Sequence, residues 1–337
     1  MDSRRVNVDG PPTICVCIPT RNRPAYVQQA LASVLAQSAH DFRVLVSDDA
    51  SEHAAAAAVE AHVAELGDPR VSYAYHPHNL REYDHGRFLF AQCTEEFFAI
   101  LHDDDRWEPR FLERCLAVLS ADDGLACATT NQYVIDGRGD HAVRMTAAYQ
   151  KRMGRGRYPE GRLRILEPLL RHSLFALSST VFRTAALRGS GLVDAECHGN
   201  AVFDINLFLR LGERGAQAYY LPEALAAYRI HDDRLSVSEE RGGFNPRLLE
   251  TLMTVLEKRR FSGRAERERR RQLAAAYHNY AIICYLRHDT AGMYRYLWQC
   301  VTTTPGRWKN WAYLGFAVFP FLIKPVFGSR VVSGLSA

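Results

Sequence analysis

Short apolar runs with the length of a buried strand recur in the first part of this 337-residue chain and constrain its fold most. Residues 14–18 and 97–101 are apolar throughout, and residues 42–46 are interrupted once. A strand covered by helices on both faces has this composition. Between the runs at residues 14–18 and 42–46, apolar residues from Val27 to Leu35 follow helical spacing. The alternation predicts an α/β fold around a parallel sheet with right-handed crossovers.

Further elements follow from the same spacing rules. We predict a third strand at residues 71–75 and helices at residues 53–66 and 109–119, with Ser51 as the cap of the earlier helix. Residues 136–161 hold five glycines, many arginines and little periodicity. This composition indicates a mobile loop or linker near the active face.

Regular structure is expected again after this loop. We predict strands at residues 176–182 and 218–221 and a helix around residues 204–213. The last part of the chain has helical spacing, and a break near residues 288–290 predicts a helix pair within residues 272–300.

The positive charge is concentrated in two stretches. The net charge is only +4, but residues 144–171 and residues 258–271 each hold eight basic residues against two Glu. Each stretch is either a solvated helix face or loop, or a surface attracted to the phosphates of a substrate or of an anionic membrane.

The cysteines indicate the redox environment. None of the eight forms a C-x-x-C pair, and several lie in apolar surroundings. Cys15 and Cys17 are two apart in a predicted strand, so they point to one face and do not bridge each other. We expect buried free thiols in a reducing compartment. Because residues 1–12 are polar and show no signal peptide, we expect a cytoplasmic protein.

An apolar segment near the C-terminus suggests a contact surface. Residues 311–323 carry no charge, and cations flank them at Arg307, Lys309, Lys324 and Arg330. The segment is shorter than the roughly 20 apolar residues that span a bilayer. It either lies in a membrane interface or packs on the protein's own core or a partner subunit.

Three carboxylates follow the apolar run at residues 97–101 directly, as Asp103, Asp104 and Asp105. In open α/β sheets, ligands bind at the carboxyl ends of the strands. Clustered acids repel one another unless they are solvated or neutralised, and a divalent cation is the usual neutraliser. The cluster therefore indicates a metal site, or else a solvated acidic turn.

Several motifs together resemble family 2 glycosyltransferases. They occur in the order found in that family, and the match covers roughly residues 13–240. The motifs are residues 18–24 (IPTRNRP), Gln37 with residues 41–51 (DFRVLVSDDAS), Asn79, residues 101–109 (LHDDDRWEP), residues 202–215 (VFDINLFLRLGERG), and residues 228–231 (YRIH) with Ser236 and Ser238. Motifs in a fixed order are far more specific than any one of them.

The resemblance implies the GT-A fold, a Rossmann-like nucleotide-binding sheet, with a C-terminal helical extension. It divides the chain into a nucleotide-sugar-binding half (residues 1–130), an acceptor-binding half (residues 131–240) and a helical extension (residues 241–337). Within the extension, residues 307–330 are the candidate membrane-contacting segment. The resemblance places nucleotide-sugar contacts at Pro19, Thr20, Arg21, Arg23, Asp48, Asp49, Asn79 and Asp103. For Asp48 and Asp49, a hydrogen-bonded loop aspartate is the alternative.

The resemblance also implies a divalent metal, Mn²⁺ or Mg²⁺. Asp104 is the expected direct ligand, Asp105 a ligand directly or through water, and His231 a further metal or phosphate ligand. Carboxylate oxygens suit such hard cations. When bound, the cation stabilises the charge that develops on a diphosphate leaving group.

Asp204 is the expected general base by the same resemblance. It would accept the proton of the acceptor hydroxyl as that oxygen attacks the sugar, and a single displacement inverts the anomeric centre. A helix-capping role for Asp204 is compatible with this one. Two positions depart from the family pattern, because Phe203 replaces a Glu and His102 replaces an Asp.

We therefore expect an inverting glycosyltransferase that uses a nucleotide-diphosphate sugar, with UDP favoured by resemblance alone. The expected acceptor is a saccharide, a lipid-linked molecule or a small molecule. Both surface polysaccharide assembly and the tailoring of a secondary metabolite are compatible with such an enzyme. No nucleic-acid partner is implied, and a homodimer stays open. A sugar nucleotidyltransferase would usually show a Gly-rich loop after the first strand, and residues 20–24 contain no Gly. A non-catalytic nucleotide-sugar-binding protein is the remaining alternative.

Overall fold

In the computed structural model, residues 13–191, 203–230 and 245–318 are described. The first two ranges belong to one compact unit and the third belongs to a second unit. The strands of the first unit are β1 (Ile14–Thr20), β2 (Phe42–Asp49), β3 (Val71–His76), β4 (Phe97–Ile100), β5 (Arg106–Trp107), β6 (Leu125–Ile135), β7 (Gly161–Arg164), β8 (Thr180–Arg183) and β9 (Gln217–Arg229). Its helices are α1 (Pro24–Leu35), α2 (His53–Leu66), α3 (Arg81–Ala91), α4 (Phe111–Ser120), α5 (Val143–Arg152), α6 (Leu166–His172), α7 (Thr184–Ser190) and α8 (Phe203–Glu213).

These strands form one mixed sheet in the order β3-β2-β1-β4-β8-β6-β9-β5, with β7 paired to β9. The strands β3, β2, β1 and β4 run parallel to one another. Strand β8 runs antiparallel to both β4 and β6, and β6 runs parallel to β9. The predicted α/β fold with a sheet of mostly parallel strands is confirmed.

Burial explains why the apolar runs form strands. Every residue from Ile14 to Ile18 is fully buried, as is each residue from Phe97 to Ala99. Apolar residues of α1 and α4, among them Leu31 and Leu112, complete the core of this unit. Helix α2 has the predicted bounds, and Gly67 ends it in the left-handed conformation that favours glycine.

The strand predicted at residues 176–182 begins only at Thr180, because Leu177–Ser179 form a single 3₁₀ turn. Three further local predictions differ from the structure. Ser51 does not cap α2, because Glu52 occupies the cap position and the Ser51 hydroxyl instead accepts a hydrogen bond from the Asn22 amide at 2.7 Å. The helix predicted from residue 109 begins at Phe111. The intervening segment forms a turn in which the Phe111 amide donates to the Glu108 carbonyl at 3.0 Å.

The segment at residues 136–161 is the third difference, because it carries α5 rather than only irregular loop. The large aliphatic residues of this helix, Val143 and Met145, are exposed, and polar contacts hold it instead. The Thr146 hydroxyl accepts from the Val134 amide at 2.9 Å, and the Tyr149 hydroxyl donates to the Gln132 side chain at 2.8 Å. Such contacts leave no apolar periodicity for a sequence pattern to detect.

The second unit is helical. It contains α9 (Pro246–Glu257), α10 (Gly263–Leu286), α11 (Thr290–Thr303) and α12 (Trp308–Val318). The predicted break falls between α10 and α11, where the Asp289 side chain caps α11 by accepting from the Gly292 amide at 2.8 Å. No helix within the described residues is long and apolar enough to cross a membrane. The part of the apolar C-terminal segment beyond residue 318 lies outside the described residues.

Candidate active site

The carboxyl ends of β1 and β4 meet because the two strands are parallel neighbours. Residues 102–105, here called the acid loop, follow β4. The hydroxyl of Thr20, at the end of β1, donates to Asp103 Oδ2 at 2.8 Å. Arg23 Nη1 lies 3.3 Å from Asp103 Oδ1 and 3.0 Å from Asp104 Oδ2. The structure thus brings together four residues that the sequence predicts for the site.

Arg229, the last residue of β9, holds the acid loop in place through several hydrogen bonds. It is 1% exposed, and its backbone amide donates to Asp105 Oδ1 at 3.0 Å. Its Nε donates to the backbone carbonyl of Asp104 at 2.7 Å, and its Nη2 donates to Gln29 at 2.8 Å. No role for Arg229 is predicted from the sequence, although it stands in the last of the family motifs. A buried guanidinium with this many acceptors is a positioning group.

The acid loop carries more negative charge than its surroundings neutralise. Asp103 and Asp105 are 6% and 2% exposed. Burial, together with repulsion from Asp104, raises the pKa of Asp103 to about 6 and that of Asp105 to about 7. Arg23 opposes the shift of the Asp103 pKa, and His102 opposes that of Asp105, without cancelling either. An arrangement of this kind favours binding of a cation.

The donor set fits a divalent cation of the Mg²⁺ or Mn²⁺ type. Donor atoms of His102, Asp104 and Asp105 all lie within 4.8 Å of one another. Two of the three donors are carboxylate oxygens, the ligands that hard cations prefer, and an imidazole nitrogen is compatible with Mn²⁺.

His102 belongs to the acid loop and lies close to Asp105. Its side chain is 47% exposed, and its Nδ1 lies 4.0 Å from Asp105 Oδ2. Desolvation lowers the pKa of His102, but attraction to Asp105, Asp104, Glu82 and Asp204 outweighs it, so the pKa is raised. The sequence marks His102 only as a departure from the family pattern. An electrostatic role for it could not be read from that departure, because Glu82 and Asp204 lie far away along the chain.

Asp204 stands in the first turn of α8 and is half-buried. Its Oδ1 accepts a hydrogen bond from the Ile205 amide at 2.7 Å. Desolvation raises the pKa of Asp204, and attraction to His102 opposes that shift. Desolvation and repulsion from Asp204 also raise the pKa of Glu82, which nevertheless reaches solvent. A carboxylate with a raised pKa is suited to accepting a proton near neutral pH.

Asp48 and Asp49, the two nucleotide-sugar contacts predicted at the end of β2, both accept hydrogen bonds from other residues of the protein. Asp48 Oδ1 accepts from the Ser51 amide at 2.8 Å, and Asp48 Oδ2 accepts from the Tyr73 hydroxyl at 3.2 Å. Asp49 accepts from the amides of Leu80 and Arg81, at 2.6 and 3.1 Å, where α3 begins. These bonds favour the loop-forming alternative for both aspartates.

The other predicted contacts line the loops after the strands. Pro19 is half-buried in β1, whereas Arg21 is exposed directly after that strand. The Asn79 side chain accepts from the Arg81 amide at 2.8 Å. Asn22, which sequence reasoning does not single out, adopts a φ of 57° and accepts from the Glu52 amide at 2.7 Å, joining two of these loops. His231 lies outside the described residues.

The sequence of this chain matches known proteins over more than half of its length. A family model described as glycosyl transferase family 2 matches residues 15–187, just over half of the chain. The chain is 23% identical over 237 residues to a protein of Escherichia coli strain K12 that is provisionally named as the colanic acid biosynthesis glycosyl transferase WcaA. The match covers 69% of this chain and 78% of the relative. It is 24% identical over 222 residues to a Bacillus subtilis strain 168 protein provisionally named as the glycosyltransferase EpsE, which covers 66% of this chain and 74% of the relative.

Two solved structures share the fold. S. aureus TarS 1-349 in complex with UDP-GlcNAc has a TM-score of 0.63 at 14% identity, which covers 95% of this chain and 88% of that chain. The mannosyltransferase PcManGT from Pyrobaculum calidifontis, in complex with GDP-Man and Mn²⁺, has a TM-score of 0.58 at 12% identity. That match covers 97% of this chain and 86% of the other. At these identities the likeness shows the fold.

Proposed function

The chain belongs to glycosyl transferase family 2, and from that membership we propose that it is an inverting glycosyltransferase. It moves a sugar from a nucleotide-diphosphate sugar to an acceptor hydroxyl, and it uses a divalent cation and an aspartate base. The observation that carries this proposal is the position of His102. Its Nδ1 lies 4.0 Å from Asp105 Oδ2, and attraction to Asp105, Asp104 and Asp204 raises the pKa of its imidazole. These interactions support one site for the candidate metal ligands and the candidate base.

The acid loop and Arg23 bind the donor diphosphate in this proposal. Asp104 and Asp105 hold Mn²⁺ or Mg²⁺, which when bound supplies positive charge to the leaving diphosphate. Arg23 already lies 3.0 Å from Asp104, so its guanidinium is held where an anionic phosphate would meet it. Asp103 is fixed by the Thr20 hydroxyl and is close enough to the end of β1 to contact the ribose.

Asp204 receives the proton of the acceptor hydroxyl. Its raised pKa improves its proton affinity. Attraction to His102 opposes that rise. Because attack comes from the face opposite the nucleotide, one displacement inverts the anomeric carbon.

UDP is the nucleotide we favour for the donor. The support is family resemblance and the UDP-GlcNAc bound to S. aureus TarS, while GDP-Man in the Pyrobaculum calidifontis structure keeps GDP as the second nucleotide to test. For the acceptor, we propose a growing surface polysaccharide or glycoconjugate, because the E. coli relative is provisionally named for colanic acid biosynthesis.

We also propose a peripheral membrane contact through α12. Trp308 and Trp311 are 72% and 46% exposed, and the exposed cations Arg307 and Lys309 lie beside them. Exposed indoles next to cations suit the headgroup region of an anionic bilayer. Such a contact would bring the enzyme to a lipid-linked acceptor.

The test is turnover of nucleotide sugars by the full chain. We would incubate UDP- and GDP-sugars with the protein and Mn²⁺, measure release of the nucleoside diphosphate, and follow the anomeric configuration of the product by NMR. We expect Mn²⁺-dependent release that a chelator abolishes, with inversion at the anomeric carbon. Retention of configuration, or the same release in excess chelator, would overturn the mechanism. Tight nucleotide binding with no turnover in the presence of acceptor glycans would instead support a binding protein.

A further inference from the structure

Three cysteine sulfurs converge inside the first unit, away from the acid loop. Cys15 and Cys17 lie on β1, and Cys93 follows α3. The Sγ atoms of Cys15 and Cys17 are 3.7 Å apart, and those of Cys17 and Cys93 are 3.8 Å apart. All three sulfurs lie within 4.8 Å of one another, and none of the three residues is more than 1% exposed. We call this group the thiol cluster.

The convergence exceeds what packing on one strand face produces. Alternate residues of a strand are about 6.6 Å apart along its axis, which is two rises of about 3.3 Å. The sulfurs of Cys15 and Cys17 are much closer than that because both side chains lean toward a common point. Cys93 reaches the same point from a different element.

The spacing matches a metal–thiolate centre. In a tetrahedral site with metal–sulfur bonds of about 2.3 Å, two sulfurs are about 3.8 Å apart. Two of the three separations, 3.7 and 3.8 Å, agree with that value, and the third is within 4.8 Å. The Leu89 carbonyl oxygen lies 3.3 Å from Cys93 Sγ and 3.9 Å from Cys17 Sγ, so an oxygen donor faces the same point.

The surroundings of the thiol cluster include one cation. Arg43 is the register partner of Cys15 on β2. Burial disfavours free thiolates, and a bound metal ion ionises its cysteine ligands by displacing the thiol protons.

We propose that Cys15, Cys17 and Cys93 form a buried site for a thiophilic divalent metal ion of the zinc class, which joins β1 to the end of α3. The donor type separates this site from the acid loop. Sulfur ligands select Zn²⁺ and Cd²⁺, whereas carboxylate oxygens suit Mg²⁺ and Mn²⁺. The role is structural, because the site ties α3 to the strand that carries Thr20.

The experiment uses the full chain with Zn²⁺ and Cd²⁺ as probes. After desalting, we expect about one equivalent of Zn²⁺ bound through sulfur, with zinc-edge absorption spectroscopy giving sulfur neighbours at about 2.3 Å. Replacement by Cd²⁺ should produce an ultraviolet thiolate-to-metal charge-transfer band. Both signals report sulfur ligands, so metal bound at the acid loop does not produce them.

Matched variants locate the site. We expect Cys15→Ser and Cys93→Ser to weaken sulfur-bound metal by more than the roughly 10- to 100-fold that loss of an outer partner causes. Cys127→Ser, which changes a buried cysteine outside the cluster, should leave the cadmium band unchanged. Absence of the cadmium band in the unaltered chain would overturn the proposal without relying on any variant. So would a disulfide within the cluster, detected as the loss of two hydrogens in the intact mass.

Discussion

The side chain of Arg229 donates from Nε to the backbone carbonyl of Asp104 at 2.7 Å, across 125 positions of sequence. The same residue's amide donates to the Asp105 carboxylate, so one residue of β9 fixes both the main chain and a side chain of the acid loop. The metal-binding geometry that we propose therefore depends on Arg229, which holds the two residues that would bind the metal.

We predict that Arg229→Lys destabilises the protein and loosens the acid loop. A lysine keeps the charge but loses the branched donors, and charge-assisted hydrogen bonds contribute about 1.5–3 kcal/mol each. Urea unfolding should show a loss of about 2–4 kcal/mol, with weaker Mn²⁺ binding. Arg110→Lys, at an exposed ion pair, is the control and should change stability by less than about 0.5 kcal/mol. Equal effects of the two changes would contradict the assigned role.

Metal binding should strengthen as pH rises. The pKa values of Asp103 and Asp105 are raised to about 6 and about 7, so below these values protons compete with the cation for the carboxylates. Calorimetric titration with Mn²⁺ in the absence of nucleotide should show affinity that increases through this window and levels off above it. Asp105→Asn should make the Mn²⁺ affinity less dependent on pH in the upper part of this window. An affinity that is constant across the window, or that falls as pH rises, would refute the interpretation.

Asp204→Asn should abolish transfer and spare donor binding. The base acts on the acceptor, and loss of general-base catalysis costs roughly 10²- to 10⁴-fold in rate. Turnover and UDP affinity, measured separately on the same preparation, distinguish the two effects. Glu213→Gln, at the other end of α8, is the matched control and should retain full turnover. If Asp204→Asn loses donor affinity and keeps its maximal rate, Asp204 is a binding residue.

Much of the sheet could be predicted because its signal is local. Residues 14–18 and 97–101 are apolar throughout, and their burial on both faces follows directly from that composition. The acid loop could be predicted for the same reason, since its carboxylates adjoin a buried strand. The sequence pattern does not predict α3, because its first turn is polar and its start is held by Asp49, more than thirty residues earlier.

The site's supporting residues could not be predicted, because long-range contacts define them. Arg229 acts on Asp104 and Asp105 through the pairing of β9 with the rest of the sheet. His102 acquires its charge environment from Glu82 and Asp204, which belong to two different helices. A sequence motif identifies residue types in order, but it does not give the distances between segments that pack together.

The exposed aromatic residues of α12 lead to a separate prediction about membrane association. The full chain should float with anionic liposomes at low salt, and high salt should weaken the association by screening. Trp308→Ala with Trp311→Ala should reduce flotation by roughly tenfold or more, because two large apolar surfaces no longer leave water. Tyr75→Ala, at an exposed aromatic residue of β3, is the control. If the double substitution leaves flotation unchanged, α12 is not the membrane contact.

The central claim is that Asp104 couples a divalent cation to the nucleotide diphosphate. Calorimetric titration of UDP and of GDP into the full chain, with and without Mn²⁺, tests it most directly. We predict that one of these nucleotides binds at least about tenfold more tightly with Mn²⁺ present, and that Asp104→Asn, which keeps the shape but removes the charge, abolishes this gain. Equal nucleotide affinity with and without Mn²⁺, or a full Mn²⁺ effect in Asp104→Asn, would contradict the account.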